Sequence, residues 1–189
     1  MRSRVIALAA LLVIAAPTPA LATVYHSRSE ALALAFPTAD RIEDKTYVMN
    51  EDQVERIQQA SRGEVESRLV KVYTGMKGDE ILGYAFIDTH MVRTMPEAFM
   101  VVLSPDGVVR SLRVLAFYEP REYQPNNRWY AQFEQKTADQ GLRVGGDIHA
   151  IAGATLSARA TTRGVRRALA FYEILVATQS TSSREQPAR

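Results

Sequence analysis

The chain has 189 residues, a formal net charge of +2 and no cysteine. This length suits one domain of ordinary size. The absence of cysteine excludes disulfides, thiolate nucleophiles and cysteine-held iron–sulfur clusters. The near-balanced charge gives no sign of a nucleic-acid partner.

The first residues have the pattern of an export signal. Arg2 and Arg4 precede an uninterrupted apolar run over residues 5–16, and small residues follow at 20–22. A span of the bilayer needs roughly 20 apolar residues, more than this run supplies. We therefore expect residues 1–22 to be a cleaved signal peptide, with an uncleaved anchor as the alternative. The mature protein is then periplasmic or otherwise extracytoplasmic, either free or associated with a membrane.

Two helices are predicted next. The segment "SRSEALALAF" predicts a short helix that is capped by Ser27 or Ser29 and ended by Pro37. The segment "MNEDQVERIQQASRG" predicts a second helix with Asn50 as its N-cap and Gly63 just beyond its end.

A strand-rich block follows these helices. The runs "EVESRLVKVYTG" and "EILGYAFIDTHMV" are rich in β-branched and aromatic residues. The segment "AFMVVLSPDGVVRSLRVLAF" predicts a hairpin, because residues 104–107 place Pro second and Gly fourth, as a type I turn prefers. In its second arm Leu112, Val114 and Ala116 share one face, which indicates a sheet with one covered side.

The rest of the chain is mainly helical in pattern. "RWYAQFEQKTADQG" predicts a helix up to Gly141, and a last helix is expected to begin near Ser157. Strands in series with helices on both sides predict an α+β fold, a single domain over residues 23–177 with a mainly antiparallel sheet packed by helices. Residues 178–189 have the composition of a disordered tail. The last helix should bury the stripe Ala158, Thr162, Val165, Leu169, Tyr172 and Val176, and Arg159, Arg163 and Arg166 form a neighbouring polar stripe.

Several catalytic motifs are absent from the sequence. It has no Gly-x-Ser-x-Gly nucleophile elbow, no Walker A loop and no Gly-x-Gly-x-x-Gly loop. The three histidines, His26, His90 and His149, have no metal-ligand spacing, so we interpret them as surface or structural residues. The sequence therefore does not indicate a hydrolase or a metal site.

Small residues lead directly into the last helix. Gly153 and Ala154 allow a ligand to approach the backbone, and the N–H groups of a helix N-terminus attract a phosphate. Thr155 would direct its hydroxyl there, and Arg159 would add charge one turn later. The alternative is an ordinary helix start that Thr155 or Ser157 caps.

The segment "AIAGATLSARATTRGVRRAL" resembles the flavin-attachment segment of the FMN-binding domain family. This family includes the C subunit of the sodium-translocating NADH:quinone reductase, the G subunit of the Rnf complex and the periplasmic domain of NosR-type regulators. Its pattern is roughly Asp-x-x-Ser/Thr-Gly-Ala-Thr, and a flavin transferase esterifies the threonine with the phosphate of FMN. The resemblance implies that Thr155 is the attachment residue.

The preceding sheet and the loop "LAFYEPREY" are similar to the same family. This loop lies where a Glu-Thr-Pro-Gly-like loop contacts the flavin. At two positions the chain departs from the family pattern: His149 replaces the aspartate, and Ala152 replaces Ser or Thr. The implied FMN-binding residues are Thr155, Ala154, Gly153, Ala152, Leu156, Ser157, Arg159, Glu119, Pro120 and Thr94. The aromatic candidates for contact with the flavin ring are Tyr118, Tyr123 and Trp129, with sheet-to-helix packing as their alternative role.

The resemblance predicts an exported electron-transfer flavoprotein with covalent FMN, an electron carrier more than a stand-alone enzyme. Its expected partners are the flavin transferase and a membrane-bound redox partner. Two alternatives stay open: a non-covalent FMN-binding or sensory module, and a cofactor-free periplasmic binding or scaffold domain.

Overall fold

Six strands form one antiparallel sheet in the computed structural model, which describes residues 23–178. The order across the sheet is β1-β6-β5-β4-β3-β2, so β2 to β6 form a meander and β1 pairs with the far side of β6. The strands are β1 Thr23–Val24, β2 Arg41–Val48, β3 Leu69–Lys77, β4 Glu80–Met91, β5 Pro96–Leu103 and β6 Val109–Phe117.

The helices cover both faces of this sheet. The longest, α4, packs with α2 and α3 on one face, where the larger core lies, and α1 covers the other face over a smaller core. A π-helical segment, Tyr172–Ala177, continues α4. The helices are α1 Arg28–Ala35, α2 Glu51–Ser61, α3 Asn127–Tyr130 and α4 Thr155–Phe171.

The predicted α+β fold with a mainly antiparallel sheet is confirmed. The first two helices are also confirmed, and each begins with a capping box, formed by Ser27 with Glu30 and by Asn50 with Gln53. The predicted hairpin joins β5 to β6. In α4 the predicted stripe is buried except at Tyr172, which is partly buried.

Two helix predictions need correction. The helix predicted up to Gly141 is wrong, because α3 has only four residues and two short 3₁₀ turns follow it. Gln135 has a φ of 64°, and its N–H and that of Val109 bond to backbone carbonyls of the opposite segment. This segment is therefore tied to β6 instead of winding into a helix. The last helix begins at Thr155, two residues before the predicted Ser157.

The strand β2 was not predicted. It lies at the edge of the sheet, and all of its residues are exposed except Tyr47, which is partly buried. Its charged sequence therefore lacks the alternating burial that identifies most strands.

The predicted signal peptide, residues 1–22, lies outside the described residues, as does the predicted tail apart from Thr178. Within residues 23–178, no helix has the length and apolar character to cross a membrane.

Candidate functional site

Three segments meet at one end of the sheet. They are the β4–β5 turn, the segment that follows β6, and the N-terminus of α4. Tyr123 joins them, because its carbonyl accepts a hydrogen bond from Ser157 Oγ at 2.5 Å and its hydroxyl lies 3.3 Å from Arg93 Nη1. The Arg93 guanidinium also lies 5.5 Å from the centre of the Tyr123 ring. The sequence carried no signal for the role of Arg93.

The N-terminus of α4 has no side-chain cap. Its N-cap residue is Ala154, and no side chain bonds to the first-turn N–H groups there. In contrast, α1, α2 and α3 all have side-chain caps. The alternative in which Thr155 or Ser157 caps the helix is therefore wrong, and the first-turn N–H groups remain available to a ligand.

Gly153 gives the approach to this helix its shape. Its φ is 82°, a left-handed conformation that other residues rarely adopt, and a Cβ placed there would meet nothing within 4 Å. The glycine is required for the turn, and the space in front of it is open.

The side chains of this segment differ in exposure. Thr155 is exposed, and its Oγ1 has only a long contact, 3.4 Å, with the carbonyl of Ile151. Ala152, Gly153, Leu156 and Arg159 are also exposed, whereas Ala154 and Ser157 are buried. The Ser157 hydroxyl is held by Tyr123, so of this residue only the backbone is placed to meet a ligand at the helix end.

Glu119 anchors the β4–β5 turn. It is 4% exposed, and its Oε1 accepts backbone N–H groups of Arg93, Thr94 and Met95 at 3.2, 2.5 and 2.8 Å. Thr94 Oγ1 donates to the same oxygen at 3.3 Å. Burial opposes the charged carboxylate, but these hydrogen bonds outweigh it and lower the pKa of Glu119. Glu119, Pro120 and Thr94 thus belong to one unit, with the partly buried Pro120 preceding a 3₁₀ turn.

Side chains of α3 and of the 3₁₀ turn after it hold the loop that precedes α4. Trp129 Nε1 donates to the carbonyl of His149 at 2.7 Å, and the Gln132 side chain accepts the His149 N–H at 2.7 Å. Trp129 is buried in the core, while Tyr118 and Tyr123 are partly buried. The backbone of His149 is therefore fixed and its side chain is exposed.

A buried polar cluster lies between α4 and the sheet. Asp88 bonds His90 Nδ1 at 2.8 Å and pairs with Arg167 at 2.6 Å. The other ring nitrogen of His90 lies 3.3 Å from Glu97, which is fully buried and also bonds Tyr130 and Thr161. The sequence did not predict this cluster, since its members come from four separate elements.

The charges in this cluster depend on one another. Burial opposes the charged form of His90, but its hydrogen bond to Asp88 and the nearby carboxylate of Glu97 outweigh burial and raise the pKa of the imidazole. Burial alone would raise the pKa of Asp88, yet the hydrogen bond from His90 and the charge of Arg167 lower it. A protonated His90 between two carboxylates is the consistent state. No group of three His, Asp or Glu residues within 23–178 is arranged to hold a metal ion.

Two cavities lie away from the helix end. One, of about 440 Å³, lies between β3, β4 and α4, and the other, of about 710 Å³, lies between β6 and α3. Thr155 lines neither of them. The helix end therefore belongs to neither of these two cavities.

The structure is an α+β domain whose uncapped, glycine-led helix N-terminus has the features of an anion-binding site. The particular family is suggested by comparison with known proteins: residues 95–170 match the model of the FMN-binding domain, and this similarity indicates FMN as the cofactor. The match runs from the start of β5 almost to the end of α4, and includes Thr155.

The chain is also similar to the G subunit of the Na⁺-translocating ferredoxin:NAD⁺ oxidoreductase complex of Acetobacterium woodii. The identity is 27% over 139 residues, which cover 65% of this chain and 64% of that relative. The chain thus matches somewhat less than two thirds of the length of this curated relative. The sequence-based resemblance to the FMN-binding domain family is confirmed.

Proposed function

We propose that this chain is an exported electron-transfer flavoprotein that carries FMN esterified through its phosphate to Thr155. The observation that carries the proposal is the uncapped N-terminus of α4 with an exposed threonine at its first position, inside the region that matches the FMN-binding domain. FMN, when bound, supplies the redox chemistry, and the protein supplies its position and surroundings.

The first turn of α4 would hold the phosphate. The N–H groups of residues 155–157 have no partner within the helix, and the positive end of the helix dipole favours an anion there. Gly153 leaves the approach open, and Arg159 is exposed one turn later. These features suit the binding of a phosphate group.

The surface beside this helix end suits an aromatic ring. Leu156 is 49% exposed and Met95 is 41% exposed, so both apolar side chains are accessible to a ligand. Glu119 fixes the turn that carries Met95, and Tyr123 lies between that turn and α4. We infer that the isoalloxazine lies against Met95, Tyr123 and Leu156, with Thr94 and Pro120 at its margin.

The second candidate is a module that holds FMN without a covalent bond. The departures at His149 and Ala152 from the family pattern favour it. Both residues lie in the attachment motif before the threonine, so a transferase that reads this motif would modify Thr155 less efficiently. The cofactor-free alternative is set aside, since FMN is the cofactor of the matched family.

The similarity to a member of the Acetobacterium woodii oxidoreductase complex supports a role in a redox assembly. We infer a membrane-bound redox partner, export through residues 1–22 and a flavin transferase that modifies Thr155. An exported electron carrier gains from a covalent tether, because released FMN would be lost to the surroundings.

The test is flavin fluorescence on a denaturing gel. The chain is produced in a host with the transferase, beside Thr155→Ala and the control Thr38→Ala, which removes another exposed threonine hydroxyl. We expect fluorescence on the wild-type and Thr38→Ala bands and none on Thr155→Ala. A yellow native protein whose band is dark after denaturation would support non-covalent binding. A colourless protein would contradict both forms of the proposal.

A further inference from the structure

We propose that Arg62, Arg163 and Arg166 form a second anion site, which binds a phosphate group other than that of FMN. Arg62 follows the last residue of α2, and the other two lie one turn apart on α4. The Arg163 side chain passes over Gly63, with its Cδ 3.6 Å from the position a Cβ of residue 63 would have. The Arg163 side chain therefore lies against the end of α2, and Arg62 and Arg163 are close enough for their charges to lower the pKa of Arg166.

Arg166 has an unmet hydrogen-bond donor in this site. Its Nη1 donates to the carbonyl of Leu142 at 2.9 Å, but its Nε is buried and has no hydrogen-bond partner. A buried donor without a partner is unfavourable in a folded protein, and an unmet donor that stays in place points to a ligand.

The three arginines also lack a counter-charge. None of them forms an ion pair with a carboxylate in the part of the chain that the structure describes. Burial lowers the pKa of Arg166, and the charges of Arg62 and Arg163 lower it further. The neighbouring charges that act on Arg166 are therefore positive, and a bound anion would reduce the repulsion among the three arginines.

The backbone carbonyls at the end of α2 do not take the place of an anion in this site. The N–H groups of Arg62 and Gly63 bond to the carbonyls of Gln58 and Gln59, so these carbonyls are already occupied. Arg62 and Arg163 are exposed, which leaves the site open to solvent.

A phosphate group fits this site better than a carboxylate. Three guanidinium groups carry three positive charges, and a phosphate monoester carries nearly two negative charges and three acceptor oxygens. The ligand is inorganic phosphate or the phosphate of a lipid headgroup. It is distinct from the FMN phosphate, because Arg163 lies eight residues beyond Thr155, about 12 Å along the helix axis.

The test follows the arginine Nε–H signals of the whole ¹⁵N-labelled chain by NMR as inorganic phosphate is added at constant ionic strength. We expect phosphate to shift the Arg166 Nε–H signal. The double variant Arg62→Gln/Arg163→Gln should bind phosphate about tenfold more weakly, because each guanidinium group that is lost removes charge-assisted hydrogen bonds to the phosphate. The control Arg128→Gln, an exposed arginine on α3, should bind as the wild type does.

An unchanged Arg166 signal, or equal phosphate affinity in the double variant, would overturn the proposal. This result is independent of FMN, so failure of the flavin assignment leaves it intact. Phosphate that shifts only the backbone N–H groups of residues 155–157 would also overturn it.

Vesicle sedimentation then distinguishes the two sources. Binding to vesicles that contain phosphatidic acid, with loss in the double variant, identifies a lipid headgroup as the ligand. Binding of inorganic phosphate with no sedimentation on these vesicles identifies free phosphate. Both outcomes support the site once phosphate has shifted the Arg166 signal, and an unchanged signal refutes it.

Discussion

The hydroxyl of Thr155 differs from those that follow it in α4. Ser157 donates to the carbonyl of Tyr123, Thr161 donates to Glu97, and Thr162 donates to the carbonyl of Ala158. These three side chains are buried, whereas Thr155 is exposed. Among the hydroxyls of residues 155–162, that of Thr155 is therefore the one that a modifying enzyme can reach.

Glu119 is the second residue on which the site depends. Glu119→Ala removes the acceptor of three backbone N–H groups, so we expect it to lower the free energy of unfolding by about 2 kcal/mol. Denaturant unfolding measures this loss, and hydrogen exchange at Thr94 and Met95 should become faster. Glu122→Ala, an exposed neighbour, should change neither quantity. Unchanged exchange at Thr94 in Glu119→Ala would show that the turn does not depend on this carboxylate.

At the scale of elements, α4 is held close to the sheet at Gly164. A Cβ at this position would collide with the Phe99 ring and with the Asp88 carboxylate, which Arg167 of the same helix binds. The polar cluster and the glycine together set how closely the helix approaches the strands. This close approach also determines where the N-terminus of α4, which carries Thr155, lies.

Gly164→Ala therefore tests how closely α4 packs against the sheet. Alanine favours a helix by about 1 kcal/mol over glycine, but overpacking at this contact costs about 1–3 kcal/mol. We expect a net loss of about 1–2 kcal/mol in the free energy of unfolding, measured by denaturant titration. Gly63→Ala is the matched control, because a Cβ there would have ordinary contacts of 3.6–4.0 Å, and its effect should stay within about 0.5 kcal/mol. A stabilised Gly164→Ala would contradict the close approach.

Local patterns predicted the elements that depend on local physics. The turn at residues 104–107 and the cap at Asn50 involve neighbours in sequence, so they were predicted correctly. The short length of α3 depends on bonds between Val109 and the segment at Gln135, which are remote in sequence. The cluster around Glu97 joins positions up to 79 residues apart, as in the bond from Arg167 to Asp88. No local pattern marks such contacts.

At the scale of the whole molecule, the buried cluster should make stability depend on pH. The pKa of His90 is raised above its ordinary value of about 6.5, so its stabilisation is complete below that value and is lost as pH rises through the folded-state pKa. The pKa of Asp88 is lowered below 3.8, so its stabilisation holds above that value and is lost as pH falls through the folded-state pKa. The cluster stabilises the fold most between these limits.

His90→Gln tests this dependence. We expect the variant to be less stable than the wild type by about 3 kcal/mol near pH 5.5, because the partly buried Asp88 and the buried Glu97 lose their shared partner. The difference should become smaller above pH 8, and denaturant unfolding across this range measures it. The control is His26→Gln, which removes a histidine outside the cluster and leaves the contacts of Asp88 and Glu97 intact. A His90→Gln deficit that is constant from pH 5 to 9 would mean that His90 is neutral throughout.

The attachment of FMN to Thr155 is tested most directly by mass spectrometry of one peptide. Trypsin cleaves after Arg143 and Arg159, and the peptide 144–159 contains Thr155 as its one threonine and Ser157 as its one serine. From protein made with the transferase, we predict that this peptide carries the mass of FMN less one water, with fragment ions that locate it on Thr155. An unmodified peptide from a fully loaded yellow protein, or a modification on Ser157, would contradict this account.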